Sequence, residues 1–352
     1  MNRSINNGGS VLILVLWVVI FLSVTAVVLN QQTQLSLAFV EQHIRNSKAK
    51  ALAWAGIISA LDRLREDAAS PRTKEADTLA ECGIDAQDTN TSKIFRNVVL
   101  GDGVFNIFYK QGDGSYDGIQ DEERKIDLNA LTVHNENILA SLIELMGFDE
   151  QRARIVAASV VDWRDSDHDL TDDPFGAEDD FYMKLVRPYH VKNADFESLE
   201  ELLLIRGVTQ DLFAKIKDYL TVYPKPANRL IVNFETASLP VLQAIGRSFI
   251  GGYARLTADD ADSIAQKIVN FRRGDDGIEA TGDDRRLDLA ALGLTATQNI
   301  LYQRILSYKT VQSSYFSIFS HGTFKTSTVN LKAVIRRQDL AIMSWRIMGE
   351  QI

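Results

Sequence analysis

The chain has 352 residues, 45% of them hydrophobic, a length that predicts two or three compact units besides the N-terminal segment. Its formal net charge is −9 and no basic patch is segregated from the acids, which argues against nucleic-acid binding. A single cysteine, Cys82, excludes an internal disulfide, and the five scattered histidines show no spacing typical of a zinc site.

The segment from Ser10 to Leu29 is apolar and contains no charged residue. About 20 residues rising roughly 1.5 Å each match the roughly 30 Å hydrocarbon core of a bilayer. The sequence therefore predicts a membrane-spanning helix, and the lack of an A-x-A site after it disfavours a cleaved secretory signal. Because Arg3 precedes the segment and the acidic bulk follows it, we expect a cytoplasmic N-terminus and a C-terminal bulk across the membrane.

The helical pattern continues beyond the membrane segment to about Leu64. Apolar residues recur there at helical spacing, which indicates an amphipathic helix. The stripe consists of Ala51, Trp54, Ile58, Leu61 and Leu64. We expect Trp54, Ile58 and Leu61 to be buried against a sheet or against a partner protein.

Strand patterns lie at both ends of the remaining chain. After a polar linker from Asp67 to Ser92, strands are predicted from Val104 to Lys110 and around Glu123 to Leu128. Further strands are predicted at Ser314 to His321, Ser327 to Arg336 and Leu340 to Ile347, with turns at Gly322-Thr323 and Gln338-Asp339. These elements predict an α+β fold in which the long N-terminal helix packs on an antiparallel sheet.

The middle of the chain is predicted to be an inserted helical domain of helix-hairpin-helix or SAM-like type. The predicted boundaries are 1–9 for a leader, 10–66 for the long helix, 67–128 and 309–352 for the sheet domain, and 129–308 for the insertion. Gly207 marks a turn between two short helices, and such hairpins either bind DNA phosphates or serve as packing corners. Acidic residues around this turn favour packing. Two echoing acidic loops, near Asp117 and Asp276, indicate a shared helix-capping device, and duplication stays open.

The window from Asp162 to Tyr182 contains eight aspartates and one glutamate. Crowded carboxylates repel one another, and Ca²⁺ relieves this repulsion because it binds six to eight oxygen ligands. We therefore predict a calcium-binding loop without EF-hand spacing, against the alternative of a solvated acidic loop. The predicted ligands are Asp165, Asp167, Asp169, Glu178 and Asp179.

Asp162 and a second acidic loop are not part of this predicted ligand set. Asp162 is expected to cap a helix or to pair with Arg164 rather than to bind the metal. A second acidic loop is predicted either to bind metal or to be solvated, and it consists of Asp275, Asp276, Asp283 and Asp284.

A short leader with Arg3, ending in Gly8-Gly9, precedes an apolar helix that becomes amphipathic. This combination resembles type IV pilins and type II secretion pseudopilins. The resemblance implies cleavage by a prepilin peptidase between Gly9 and Ser10, or else after Gly8. Leu14 then stands where most pilins have a glutamate, at the fifth mature position, and this absence is a feature of the minor pseudopilin K subfamily. A plain single-pass anchor is the alternative.

Later motifs strengthen the resemblance. DWRDSD followed by GAEDDFY is similar to the DWxDxD and GAExxYY signature of general secretion pathway protein K, with Phe181 in place of the first tyrosine. The order of motifs in that family continues in this chain with Asn193, ELLLIRG, SSYFSIFSHG and LKAVIRR. The resemblance implies a non-enzymatic minor pseudopilin at the tip of a type II secretion pseudopilus, anchored in the inner membrane, that takes part in assembly and protein export. It also implies I- and J-type minor pseudopilins and inner-membrane secretion components as partners.

Three other classes of protein are alternatives to this interpretation. A membrane-anchored helix-hairpin-helix DNA-binding protein of the competence type requires basic hairpins, whereas these hairpins are acidic. A minor pilin of a type IV pilus shares the same N-terminus and stays open. An enzyme is disfavoured because the sequence shows no nucleophile–base pair, phosphate loop or metal-hydrolase spacing.

Overall fold

The computed structural model describes residues 8–69, 77, 95–111, 114–227, 229–250, 256–279 and 283–349. The leader before residue 8, most of the predicted linker and Cys82 lie outside these residues. The described chain forms a helix packed on a sheet together with a helical unit, which confirms the predicted α+β fold.

The long N-terminal helix, α1, runs from Gly8 to Ala69 over 62 residues. Its first part is long and apolar enough to cross a membrane, with a mean hydropathy of 3.1 in its most apolar window and none of that window buried. The hydroxyls of Ser23 and Thr25 donate to backbone carbonyls of the helix, which satisfies them without water. The helix is therefore a candidate single membrane span that continues into the sheet unit.

Seven strands form one antiparallel sheet in the described chain. All described strands are β1 (Val98–Leu100), β2 (Gly103–Gln111), β3 (Gly114–Asp117), β4 (Gln120–Asp121), β5 (Ile126–Asp127), β6 (Leu220–Thr221), β7 (Val232–Asn233), β8 (Lys309–Thr310), β9 (Tyr315–Phe324), β10 (Ser327–Arg336) and β11 (Ala341–Met348). The sheet has the order β1-β2-β9-β10-β11, with β3 paired to β2 and β4 paired to β9. The chain therefore leaves the sheet after β4 and returns to it at β9.

Small residues allow α1 to approach this sheet closely. The buried small residues of the helix are Ala49, Ala53, Gly56 and Ala60. A methyl group on Gly56 would overlap the hydroxyl of Ser320, and one on Gly322 would overlap the backbone of α1. Larger side chains fill the space around this contact, among them Ile57, Leu64, Phe105, Ile107, Phe316 and Ile318.

The predicted apolar stripe of α1 lies at the margin of the contact with the sheet and not at its centre. Ile58 is 57% exposed, and Trp54 and Leu61 are only partly buried. The prediction of their burial on the sheet is wrong for Ile58, because the buried face of the helix is centred on the small residues named above. Leu64 is the one member of the stripe that is fully buried, at 0% exposure.

Two strand predictions also require correction. Gly322 lies inside β9 and not in a turn. It is a glycine because any side chain there would overlap the backbone of α1. The turn falls instead at Lys325, whose φ is 53°. Ile126 and Asp127 form β5, which pairs in parallel with β6 of the helical unit and not with the sheet.

The helical unit consists of two halves that are each bounded by a parallel strand pair, β5 with β6 and β7 with β8. Its helices are α2 (Asn137–Leu145), α3 (Glu150–Asp162), α4 (Asp179–Tyr182), α5 (Gln210–Ile216), α6 (Leu239–Arg247), α7 (Ala258–Arg272) and α8 (Ala296–Ile305). The Asp127 carboxylate accepts a hydrogen bond from the Asn129 amide, and the Asp288 carboxylate accepts one from the Ala290 amide. Both echoing segments therefore carry the aspartate cap that the sequence indicated.

A run of buried charged residues joins the sheet to the helical unit. Residues 121–125, with the sequence DEERK, are each at most 8% exposed. The Glu122 carboxylate lies 3.2 Å from the Lys125 ammonium group. The Glu123 carboxylate accepts hydrogen bonds from the amides of Ser314 at 2.6 Å and Tyr315 at 3.2 Å. The junction is thus held by a local ion pair and by hydrogen bonds from Glu123 to residues far along the chain.

Candidate metal centre

The acidic loop begins where α3 ends. The carboxylate of Asp162, the last residue of the helix, is fully buried. One of its oxygens accepts a hydrogen bond from the Thr171 amide at 2.9 Å, and the other accepts one from the Ala177 amide at 2.6 Å. These two bonds close the loop back onto the end of the helix. Asp162 therefore caps backbone of its own loop, and no bond to Arg164 is made by its side chain in the described structure.

Three of the predicted ligands converge in this loop. Asp165, Asp167 and Glu178 each present a carboxylate oxygen, and these oxygens lie within 4.8 Å of one another. Glu178 is only 5% exposed, and neither of its carboxylate oxygens has a hydrogen-bond partner among the described residues. One oxygen of Asp165 is also buried without such a partner. A buried carboxylate without a donor is costly, so this cluster fits a bound cation.

The electrostatics of the cluster point the same way. Burial, together with the carboxylates of Asp162, Asp165 and Asp167, raises the pKa of Glu178 to about 7. Burial, together with Asp167 and Asp162, raises the pKa of Asp165 to about 6. The donors are all carboxylate oxygens, which are the ligands that Ca²⁺ prefers in proteins.

The other two predicted ligands lie outside the convergence. Asp169 is exposed, and its backbone amide donates to the Asp167 carboxylate at 2.9 Å. The Asp179 carboxylate accepts a hydrogen bond from the Val191 amide at 2.8 Å and lies 3.0 Å from the imidazole of His190. Asp179 thus fastens the segment after α4 instead of pointing at the cluster.

An aromatic cluster supports the loop from inside the helical unit. Trp163 is 3% exposed and packs edge-on against Tyr182, with ring centroids 5.4 Å apart. The Lys192 ammonium group lies 2.9 Å from the Glu201 carboxylate, which also accepts a hydrogen bond from the Trp163 indole at 3.5 Å. The loop is therefore attached to a rigid core.

The second acidic loop, after α7, is organised differently. The Asp283 carboxylate accepts hydrogen bonds from the amides of Asp275 at 2.6 Å and Asp276 at 3.0 Å. Arg285 forms an ion pair with Asp275. The Glu279 carboxylate lies 3.2 Å from the Arg272 guanidinium group. The carboxylates of Asp275, Asp283 and Glu279 therefore already have amides or guanidinium groups as partners. Residues 280–282 of this loop lie outside the described chain.

The two loops occupy equivalent places in the two halves of the helical unit. The segments VVDWR (160–164) and IVNFR (268–272) both end a helix. Arg164 donates to the backbone carbonyls of Asn129 and Leu131 after β5, and Arg272 donates to those of Phe234 and Ala237 after β7. This shared arginine contact indicates that the helical unit is an internal duplication. These two five-residue segments carry the sequence signal for the duplication, which the echo between the two acidic loops does not include.

The helix-hairpin-helix turn has a packing role in this structure. Gly207 has a φ of 86°, and a methyl group there would meet the side chains of Ile155 and Val156 at 3.0 Å. The turn therefore fits against α3, as expected for a packing corner.

A long helix laid on an antiparallel sheet, with a duplicated helical unit inserted between the strands, defines a pilin-type protein with an inserted domain. Residues 124–225 match a family model described as "Type II secretion system (T2SS), protein K". The type II secretion system protein K of Pectobacterium carotovorum subsp. carotovorum is 24% identical over 246 residues, which cover 69% of this chain and 71% of that protein. The protein K of Aeromonas hydrophila is 27% identical over 165 residues, covering 42% of this chain and 48% of that protein.

The fold comparison agrees with these sequence matches. The crystal structure of the GspK–GspI–GspJ complex from the enterotoxigenic Escherichia coli type 2 secretion system contains a chain that is 16% identical, with a TM-score of 0.61. The match covers 91% of this chain and 100% of that chain. These matches confirm the resemblance to the type II secretion protein K family that the sequence indicated.

Proposed function

We propose that this protein is the tip subunit of a type II secretion pseudopilus and takes part in pseudopilus assembly and protein export. The observation that carries the proposal is the helical unit, which departs from the sheet after β4 and returns at β9. A unit of this size suits a terminal position, because it would obstruct a further subunit stacked above the sheet. The role is structural and not catalytic.

The proposed partners are I- and J-type minor pseudopilins, the companions named for the E. coli chain of similar fold. The exposed stripe of α1 supports a helical partner. Its positions recur at alternating intervals of three and four, the spacing of a seam between two long helices. The seam consists of Leu37, Val40, Ile44, Ser47, Ala51, Trp54, Ile58 and Leu61. Most of these positions are exposed, and Val40 is 52% and Ile44 48% exposed.

Strand β11 extends this apolar surface. Trp345 is 49% exposed and packs edge-on against Trp54, with ring centroids 5.2 Å apart. Ile347, on the same strand, is 54% exposed. Exposed apolar residues that are contiguous in this way typically mark an interaction site.

Copurification of the full chain with I- and J-type pseudopilins from detergent extracts tests the proposal. Ile58→Asp places a charge in the seam and should abolish copurification. Val99→Asp makes the same change at β1, on the opposite edge of the sheet, where Val99 is 71% exposed, and should leave copurification intact. Loss of binding in both variants, or in neither, would contradict the seam as the contact.

The membrane helix supports inner-membrane anchoring before assembly, with the N-terminus cytoplasmic and the bulk periplasmic. Processing by a prepilin peptidase is proposed between Gly9 and Ser10. Gly9→Asp should therefore keep the leader, and the mature wild-type protein should begin at Ser10. An N-terminus downstream of Leu29 would instead indicate an ordinary signal peptide.

We also propose that the acidic loop binds calcium through Asp165, Asp167 and Glu178. The buried and unpartnered oxygens of Glu178 are the observation that supports this. Binding to the folded state alone adds about 2.7 kcal/mol of stability at a hundredfold excess over Kd. The melting temperature of the full chain in detergent should rise with calcium and fall with EDTA, and magnesium should have little effect because it demands octahedral geometry. Equal melting temperatures in calcium and in EDTA would show that the loop does not bind calcium.

A further inference from the structure

We propose that Asp162 is the positioning residue of the acidic loop, which brings Asp165, Asp167 and Glu178 together without being a ligand. The inference rests on the proposed calcium function of that loop. It assigns to Asp162 a task that the charge pattern of the sequence does not reveal, since Asp162 is one of eight aspartates in the window.

The hydrogen bonds of Asp162 determine the path of the loop. Its two carboxylate oxygens accept bonds from the amides of Thr171, nine residues along the chain, and Ala177, fifteen residues along. Since Glu178 follows Ala177 directly, the second bond fixes the backbone from which the Glu178 side chain projects. Both Asp162 oxygens are engaged by amides in this way, and the oxygens that converge belong to Asp165, Asp167 and Glu178.

Gly176 shows how closely the loop approaches this carboxylate. A methyl group at position 176 would overlap an oxygen of Asp162. The close approach places the Ala177 amide 2.6 Å from that carboxylate. Any side chain at position 176 should therefore push the loop away from the end of α3.

The second half of the helical unit provides a comparison within the same chain. Asn270 occupies the position that corresponds to Asp162, is exposed, and accepts a hydrogen bond from the Gln266 side chain one turn earlier at 2.7 Å. In that half, the Glu279 carboxylate is neutralised by Arg272, at 3.2 Å, and Arg273, at 3.7 Å. Where the aspartate holds the loop, three carboxylates converge, and no cationic side chain among the described residues forms an ion pair with them. Where asparagine replaces it, arginines supply the positive charge.

Asp162→Asn tests the inference in the full chain in detergent. Asparagine keeps the size of the side chain but turns a donor toward one of the two amides. Residues that orient ligands typically contribute about 10–100-fold to metal affinity, so we expect calcium affinity to fall at least about tenfold. The measurement is terbium luminescence sensitised by Trp163, with calcium as the competitor, at a temperature where far-UV circular dichroism shows every variant folded.

Two further variants separate positioning from general stability. Gly176→Ala leaves all carboxylates in place and should also weaken calcium binding. Asp149→Ala removes the cap at the other end of α3, where the Asp149 carboxylate accepts a hydrogen bond from the Arg152 amide at 2.9 Å, and should lower the melting temperature without changing affinity.

The outcomes distinguish this inference from the function on which it rests. If the wild-type chain binds calcium and Asp162→Asn binds it equally well, Asp162 does not position the ligands. If Asp149→Ala weakens binding as much as Asp162→Asn, the effect is one of general stability and the inference is wrong. If the wild-type chain shows no terbium signal that calcium displaces, the calcium function itself fails.

Discussion

Among the three converging carboxylates of the acidic loop, that of Glu178 is the most buried. Its carboxylate is buried, and no described donor reaches either oxygen. The side chain is therefore unfavourable when the loop is empty and favourable when a cation is bound. This opposition makes Glu178 the most informative single position for testing the metal proposal.

We expect Glu178→Gln to have opposite effects in EDTA and in calcium. In EDTA it removes a buried charge that faces Asp165 and Asp167, so the melting temperature should rise. In calcium it replaces a charged ligand by a neutral amide oxygen, so the wild-type increment, about 2.7 kcal/mol at a hundredfold excess over Kd, should become smaller. Thermal unfolding of both proteins in both buffers measures the two effects. A lower melting temperature of the variant in EDTA would show that Glu178 is stabilised by something other than a cation.

The sequence predicted the crowding of carboxylates but not which of them converge. Asp165, Asp167 and Glu178 were expected and do meet, whereas Asp169 and Asp179 do not. The convergence depends on where Asp162 pins the backbone of the loop, at Thr171 and Ala177. Such bonds leave no periodic pattern in a sequence, and so the set of converging carboxylates could be predicted only in part.

At the scale of elements, α1 carries two apolar faces with different chemistry. Large residues such as Trp54 and Ile58 form the face that the sequence pattern detects, and this face is largely exposed. The face on the sheet is rich in alanine and glycine, which contribute little to a hydrophobic pattern although they allow close packing. The sequence thus predicted the helix correctly and its buried face incorrectly.

Gly56→Val tests the close contact between α1 and the sheet. The added side chain would overlap Ser320, and overpacking of this kind typically costs about 1–3 kcal/mol. Ala51→Val makes a similar addition on the exposed face of the same helix and should change stability by less than about 0.5 kcal/mol. Urea unfolding in detergent compares the two variants. Equal stabilities would show that the helix can move away from the sheet at little cost.

At the scale of the whole molecule, the two units are joined through buried polar residues. Asp121 accepts hydrogen bonds from Thr236 of the helical unit at 2.8 Å and from Ser313 at 2.7 Å, just before β9. The Asp77 carboxylate lies 2.7 Å from the Arg337 guanidinium group, after β10. The sequence predicted two units but not this junction, because a run of charged residues such as DEERK is ordinarily exposed.

The junction predicts how the stability of the whole molecule depends on pH. Burial is the main cause that raises the pKa of Glu123 to about 8, from an ordinary value of 4.5, and that of Asp77 to about 7, from 3.8. The folded chain therefore retains protons that the unfolded chain releases. The stability that these protons contribute is complete below about pH 4 and is lost as the pH rises through 7 and 8. Glu122 has the opposite sign, since Lys125 and Lys332 outweigh its burial and lower its pKa to about 2, so its contribution is lost only in acid.

We therefore expect the melting temperature in EDTA to fall by several degrees between pH 6 and pH 9. Glu123→Gln cannot ionise, yet its amide oxygen can still accept a hydrogen bond from Ser314, so its melting temperature should fall less over this range. Glu150→Gln removes an exposed carboxylate at the start of α3 and should follow the wild-type curve. Parallel curves for wild type and Glu123→Gln would mean that Glu123 is ionised in the folded chain at neutral pH. In that case the junction would be held by an ionised carboxylate at position 123, and the fall in melting temperature would arise from other carboxyl groups of raised pKa, such as Asp77 and Glu178.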